Sequence, residues 1–211
     1  SDVYKRQGSS FNNVGILAND SMYVFVEVTV DPNGGNQPLL IQDSVLFTVN
    51  GIRQSVLLEA YGQDVNLYKG GVTITKDSIL TANRPYLIYD SLVIAKGVSL
   101  NIEKGTTFYM HDKASLIVHG SMNALGTLDE PITFRGDRLD YILNDILPYD
   151  RTPGQWGGIT FKADSYGNVW DNVIVRNGTS GVYCELSTPD RPKIKICLLY
   201  TSDAADDRIS V

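Results

Sequence analysis

The rhythm of hydrophobic and polar positions changes near residue 70. Before it, residues 22–30, Met-Tyr-Val-Phe-Val-Glu-Val-Thr-Val, are aromatic and β-branched with partial alternation, which predicts a strand. Residues 31–36, Asp-Pro-Asn-Gly-Gly-Asn, are a strong turn signal. Strands are predicted over 39–41 and 44–49, then a hairpin at Asn50-Gly51, then a return strand over 54–60. Hairpins at this spacing point to an antiparallel sandwich. From Val72 onward short apolar strands recur instead: Leu92-Val93-Ile94, 98–102, 107–110, Leu116-Ile117-Val118, 122–124 and 132–134. Lys96-Gly97, Lys104-Gly105, His119-Gly120 and Leu125-Gly126 separate them. Strands this short, with turns this dense and no helical period between them, predict a solenoid of about 20 residues or more per coil.

In such a coil, alternate Val, Ile and Leu fill the interior, so Leu100, Ile102, Leu116 and Val118 are expected to face one stacked core. Gly97, Gly105, Gly120 and Gly126 are expected at corners that need positive φ or close backbone approach. Trp156-Gly157-Gly158 is expected to begin another strand, with the indole covering a corner. Asn168, Asn172 and Asn177 are expected at later corners, their amides pairing coil to coil. Roughly four to six coils fit the length, above the three or so that cooperativity needs.

Particular runs extend this reading. Residues 93–108 resemble V-x-x-G-x-x-L-x-I-x-x-G-T, and 116–127 resemble L-x-V-x-G-x-L-x-A-x-G-T; Glu130-Pro131-Ile132-Thr133-Phe134 and residues 154–161 complete the set. Together they look like the opening coils of bacterial right-handed parallel β-helix surface proteins. Val26-Glu27-Val28-Thr29-Val30-Asp31-Pro32 and Leu58-Glu59-Ala60-Tyr61-Gly62 resemble the closing strands of a bacterial immunoglobulin-like domain. The resemblance implies an all-β chain, with a partial antiparallel immunoglobulin-like sandwich over 8–68 and a truncated right-handed parallel β-helix over 72–196. It also implies export to the cell surface or the extracellular space. Fold alone does not set chemistry, because this architecture precedes many activities.

The termini read differently. Ser1-Asp2-Val3-Tyr4-Lys5-Arg6-Gln7 is the direct translation of TCAGATGTGTATAAGAGACAG, which resembles the transposase end used to fragment genomes for sequencing. Residues 197–206 translate the same adaptor read outward, and 197–211 as a whole are expected to be adaptor-derived. Neither 1–7 nor 197–211 is therefore expected to carry selected core contacts. The whole chain has net charge −6; setting the termini aside removes Lys5, Arg6, Arg208, Asp2, Asp203, Asp206 and Asp207, and leaves −5. A mildly acidic chain without a basic run argues against nucleic acid and anionic membrane as partners. No apolar run is long enough to cross a bilayer. With Cys197 in the adaptor-like stretch, Cys184 has no intrachain partner, and cysteine usage does not assign a compartment.

One stretch interrupts the coil rhythm. Residues 136–153 carry four aspartates, two tyrosines and two arginines between Phe134 and Trp156. Two readings stay open. The segment packs Tyr141, Ile142, Leu143, Ile146 and Leu147 over the coil flank and solvates its charges. Alternatively Asp137, Asp140, Tyr141, Asp145, Tyr149 and Asp150 form a ligand site, with tyrosine faces and carboxylates meeting a sugar ring or the aspartates holding Ca²⁺. Asp137 with Asp140 or Asp150 could also serve as a glycosidase acid–base pair, a role that requires a set separation. His111 and His119 fall on the same side of one strand, too far apart for a shared ion. Cys184 is expected to face the coil interior as a small hydrophobe. Arg135-Gly136-Asp137 and Asn177-Gly178-Thr179 match short adhesion and glycosylation signals that arise by chance.

The expectation is an exported surface β-helix fragment, non-catalytic, that displays a flank for polysaccharide or a host or neighbouring cell surface. No motif implies a cofactor or a metal. The alternatives are a carbohydrate-active lyase or hydrolase with catalytic coils beyond residue 196, and a structural stalk.

Overall fold

The computed structural model describes residues 10–27, 39–139, 148–187 and 191–202. The chain divides into two compact units, Ser1–Asp31 and Pro32–Val211. In the first, residues 10–27 carry no helix or strand, including the part of the expected 22–30 strand that is described. A turn closes from the Asp20 amide to the Leu17 carbonyl at 3.1 Å.

The second unit opens with an antiparallel hairpin of β1 (Leu39–Val49) and β2 (Ile52–Gly62). Asn50 and Gly51 both have positive φ, 51° and 79°, as a two-residue turn with both central residues left-handed requires. The register places Val45 opposite Val56 and Val49 opposite Ile52, giving the ribbon one largely apolar face. Phe47, Val49, Ile52 and Val56 on that face are exposed. Among the described residues this two-stranded sheet is all the antiparallel structure present.

Three strands per coil follow. They are β3 (Asn66–Tyr68), β4 (Val72–Ile74) and β5 (Ser78–Leu80); β6 (Tyr86–Ile88), β7 (Ser91–Ile94) and β8 (Ser99–Ile102); β9 (Thr107–Met110), β10 (Ser115–Val118) and β11 (Ser121–Leu125); β12 (Ile132–Gly136), β13 (Trp156–Phe161) and β14 (Asn168–Asp171); and β15 (Val173–Arg176), β16 (Gly178–Cys184) and β17 (Ile194–Ile196), with β18 (Leu199–Ser202) starting a further turn. All pair in parallel into three sheets: a first of β3-β6-β9-β12-β15-β18, a second of β4-β7-β10-β13-β16 and a third of β5-β8-β11-β14-β17. The fold is a parallel β-helix of about five turns. Its strands begin before residue 72 and continue past 196: Leu199–Ser202, in the stretch expected to make no core contacts, pairs with β15 as a regular strand, and the register brings Leu199 against the core.

The interior follows from alternation carried through this register. Leu92, Leu116 and Ile159 align in one column, and Ile94, Val118 and Phe161 in the next. Leu100, Ile102, Leu116 and Val118 are all buried as expected, none more than 5% exposed. Tyr86, Phe108 and Phe134 form a stacked aromatic ladder with centroids 5.2 and 4.6 Å apart, and Trp170 extends it at 6.1 Å. Such offset stacks add to what area burial alone contributes.

Corners take the residues that tolerate them. Gly97 and Gly105 have positive φ. Gly120 serves close approach instead: a Cβ there would lie 2.0 Å from the Val98 carbonyl oxygen. Asn172 and Asn177 turn the last corners at φ 48° and 65°, a conformation that asparagine reaches more readily than most L-residues. The corner asparagines do not stack on one another. Each bonds to backbone of the neighbouring coil: Asn168 Oδ1 accepts from the Met122 amide, Asn172 Nδ2 donates to the Gly126 carbonyl, and Asn177 Oδ1 accepts from the Gly136 amide. Stacked amides do occur on the outer face, where Asn123 donates to Asn101 at 3.0 Å.

Candidate functional site

The spacing between aligned residues locates the interruption. Along the second sheet, Val72, Leu92, Leu116, Ile159 and Val182 follow one another in register, and the long step is from Leu116 to Ile159. The extra residues leave the coil after β12 and return at β13, at the corner between the first and second sheets. Of these, the described turn at 148–151 lies beside the outer face of the first sheet, where Asp150 meets Arg135 and Arg176.

That insertion is stapled at both ends. At its start, Asp137 Oδ2 lies 2.6 Å from His111 Nδ1, and the His111 ring packs on Tyr89 at 4.1 Å. At its end a single 3-10 turn, Pro148–Arg151, is held from three directions. The Asn177 amide, 1% exposed, donates to the carbonyls of Tyr149, Asp150 and Thr152 at 3.0, 2.9 and 3.2 Å. Gln155 Nε2 donates to the Tyr149 and Thr152 carbonyls. Asp150 takes Arg176 Nη1 on both oxygens, at 3.3 and 3.2 Å, and lies 3.2 Å from Arg135 Nη2. A partly buried turn whose carbonyls are satisfied by side chains avoids the desolvation cost that orphaned carbonyls would carry.

Of the six residues expected to form a ligand site, Asp140, Tyr141 and Asp145 lie outside the described residues. The other three are close to the coil wall. Both described carboxylates are engaged by wall cations or imidazole, Asp137 by His111 and Asp150 by two arginines. Tyr149 is half-buried, and the Arg138 guanidinium covers one face of its ring at 3.6 Å. Asp137 and Asp150 are thus held by separate partners.

Sequence reasoning passed over the residues on the wall: Tyr109, Arg135, Arg176, Gln155 and the anchoring role of Asn177. A signal for the arginines was present. Ile132-Thr133-Phe134-Arg135 and Val173-Ile174-Val175-Arg176 are β-branched or aromatic runs that each end in arginine on successive coils, and their register aligns Phe134 with Val175. Tyr109 pairs with Arg135 on the preceding strand. Burial raises the Tyr109 phenol above its ordinary value, and nearby Arg135 works against that rise.

Outside this flank, His119 Nδ1 lies 3.1 Å from Asp164, at the opposite corner from His111. The two histidines therefore serve different carboxylates. Burial disfavours the Asp164 charge, but the His119 hydrogen bond, its own backbone amide and Lys96 outweigh that and hold the carboxyl below its usual value. Cys184 departs from expectation. Its register continues the inward column of Val118 and Phe161, yet it is exposed. The reason is position: β16 is the last strand of its sheet among the described residues, so no described strand covers it. Partial burial raises its thiol pKa, against the influence of Lys193, which makes it a poor nucleophile at neutral pH.

No protein-family model matches the chain, and no solved structure matches it. Protein bark beetle of Drosophila melanogaster is 31% identical over 104 residues, 47% of this chain. The chain spans about 3% of the length of that curated relative. Among the described residues, no helix is long and apolar enough to cross a membrane.

Proposed function

We propose that this chain is part of an exported, cell-surface right-handed parallel β-helix protein that recognises a glycan or a neighbouring surface through the flank at residues 137–155. The observation that carries the reading is the stapled insertion. One buried asparagine is committed to three carbonyls of the 148–152 stretch, and one carboxylate to two arginines of the wall. A turn anchored this way holds Tyr149 and Asp150 in place before a ligand arrives, which lowers the ordering cost of binding. Loops positioned by a rigid scaffold are where recognition residues concentrate. Binding is preferred to turnover because the two described insertion carboxylates are each tied to a wall partner. In the same reading, residues 8–62, before the first coil, belong to a partial immunoglobulin-like spacer of a bacterial protein, and the termini derive from adaptor DNA.

The test is a glycan array probed with the full chain and with Tyr141 and Tyr149 both replaced by Ala. The proposal expects binding by the native chain and its loss in the variant, with β-rich circular dichroism retained in both. Binding that survives the double replacement, or a variant that unfolds without any glycan bound by the native chain, contradicts it.

A further inference from the structure

Arg135 and Arg176 stand on the outer face of the first sheet, at the same position of successive strands. The alignment of Phe134 with Val175 puts the next residues, the two arginines, opposite one another. Parallel strands are about 4.8 Å apart, and like charges directly opposite repel, so the pair needs an anion. Asp150 supplies a single carboxylate, and Arg176 Nη1 takes both of its oxygens. Arg135 Nη2 is close enough for charge attraction, at 3.2 Å, but not oriented to complete a hydrogen bond. Arg135 Nε and Nη2 are both buried and have no hydrogen-bond acceptor among the described residues.

Those two nitrogens form one edge of the guanidinium fork, the geometry that receives a carboxylate or sulfate through two parallel hydrogen bonds. Among the described residues the wall therefore presents two guanidiniums to one carboxylate, on a chain of net −6. Half-buried Tyr109 lies beside Arg135 on the preceding strand and offers a ring against which a sugar could rest.

We infer that this wall is a receiving site for the anionic group of an acidic glycan, with Asp150 as its built-in competitor. The inference rests on the recognition reading above and adds the charge of the ligand. Because the orphaned nitrogens are covered, an incoming anion reaches them only by displacing the Asp150 carboxylate from Arg135, while Asn177 keeps the backbone of the turn anchored. Ligand affinity is then set by competition with an internal carboxylate.

The test is calorimetric titration of the full chain with oligogalacturonate, a neutral cello-oligosaccharide of equal length, and inorganic sulfate. Oligogalacturonate is expected to bind and the neutral sugar not to. Asp150→Asn, which keeps the volume and removes the competing charge, is expected to tighten oligogalacturonate binding at least about tenfold. Arg135→Gln is expected to abolish it, and Arg135→Lys, which keeps charge without the fork, to weaken it; a thermal melt of each variant separates lost binding from lost fold. Should either Arg135 variant fail to fold, Asp150→Asn alone decides. Unchanged or weaker binding in Asp150→Asn overturns the inference. Neutral sugar bound as well as oligogalacturonate, and lost on Tyr149→Ala, overturns the anion site while sustaining glycan recognition. Sulfate bound through Arg135, without any glycan, sustains the anion site and overturns glycan recognition. No binding of any probe overturns both.

Discussion

Leu116→Ala measures how tightly the coils depend on one another. Leu116 is 2% exposed and is sandwiched in register between Leu92 and Ile159. Truncation removes three carbons from the interior, worth about 2.4 kcal/mol at roughly 0.8 kcal/mol each. A cavity term adds to that, because parallel ladders on both sides hold the neighbouring strands at fixed spacing and prevent collapse into the gap. The measured range for buried leucines, about 2.7–5 kcal/mol, then applies toward its upper half. Val182 lies in the same column on β16, with Ile159 on one side only, so Val182→Ala is expected to cost about 1 kcal/mol or less. The assay is urea unfolding followed by far-UV circular dichroism, with the slope recorded because solenoids can lose coils piecemeal. A Leu116→Ala variant within about 0.5 kcal/mol of native, a shift typical of surface changes, would refute the stacked-core argument, as would a larger effect at Val182.

Three further outcomes are expected. Asn177→Ala removes three donated bonds to the insertion and places a Cβ residue without a bonding side chain at φ 65°; it should cost about 2–4 kcal/mol and speed proteolysis within 137–155, while Asn177→Gly should recover about 1 kcal/mol of the loss. Gly120→Ala should disrupt the coil through its clash with Val98, whereas Gly97→Ala, with open space but φ 76°, should cost only about 1–2 kcal/mol; thermal melts compare them. The Lys162 hydrogen bond, with the Ala163 amide, holds the Glu185 carboxyl below its ordinary value against the opposing effect of desolvation, and Asp164 is likewise depressed. Folded values below unfolded ones mean stabilisation that is present above the unfolded carboxyl pKa and fades as pH falls through the folded values. The Asp164→Asn, Glu185→Gln chain should therefore have a lower urea midpoint than native at pH 7, with the gap closing by about pH 3.

The coil was legible because a parallel β-helix repeats one local rule. Alternation at 100–102 and 116–118 specifies the inward face, and small residues such as Gly97 and Gly120 punctuate it, so each coil announces itself without reference to its neighbours. The Asn50-Gly51 hairpin was legible for the same local reason. The site was not, because its chemistry is set by register between coils. Nothing near Asp150 in the sequence says that Arg135 and Arg176 converge on it, or that Asn177 reaches back to the turn at 149–152. Those contacts exist only once Phe134 is stacked beneath Val175. Cys184 illustrates the limit from the other side. Its pattern correctly placed it in the inward column, but exposure depends on whether another strand lies above it, which no local pattern encodes.

The central claim is that the anchored insertion is the recognition surface and the coil its support. The most direct test replaces residues 138–153 with a short Gly-Ser turn and compares the resulting chain with the native one for glycan-array binding and thermal unfolding. The account predicts a coil that melts within a few degrees of native and loses the native binding profile, keeping only the acidic glycans that Arg135 and Arg176 hold once Asp150 is gone. A replaced chain that retains the native binding profile would contradict it.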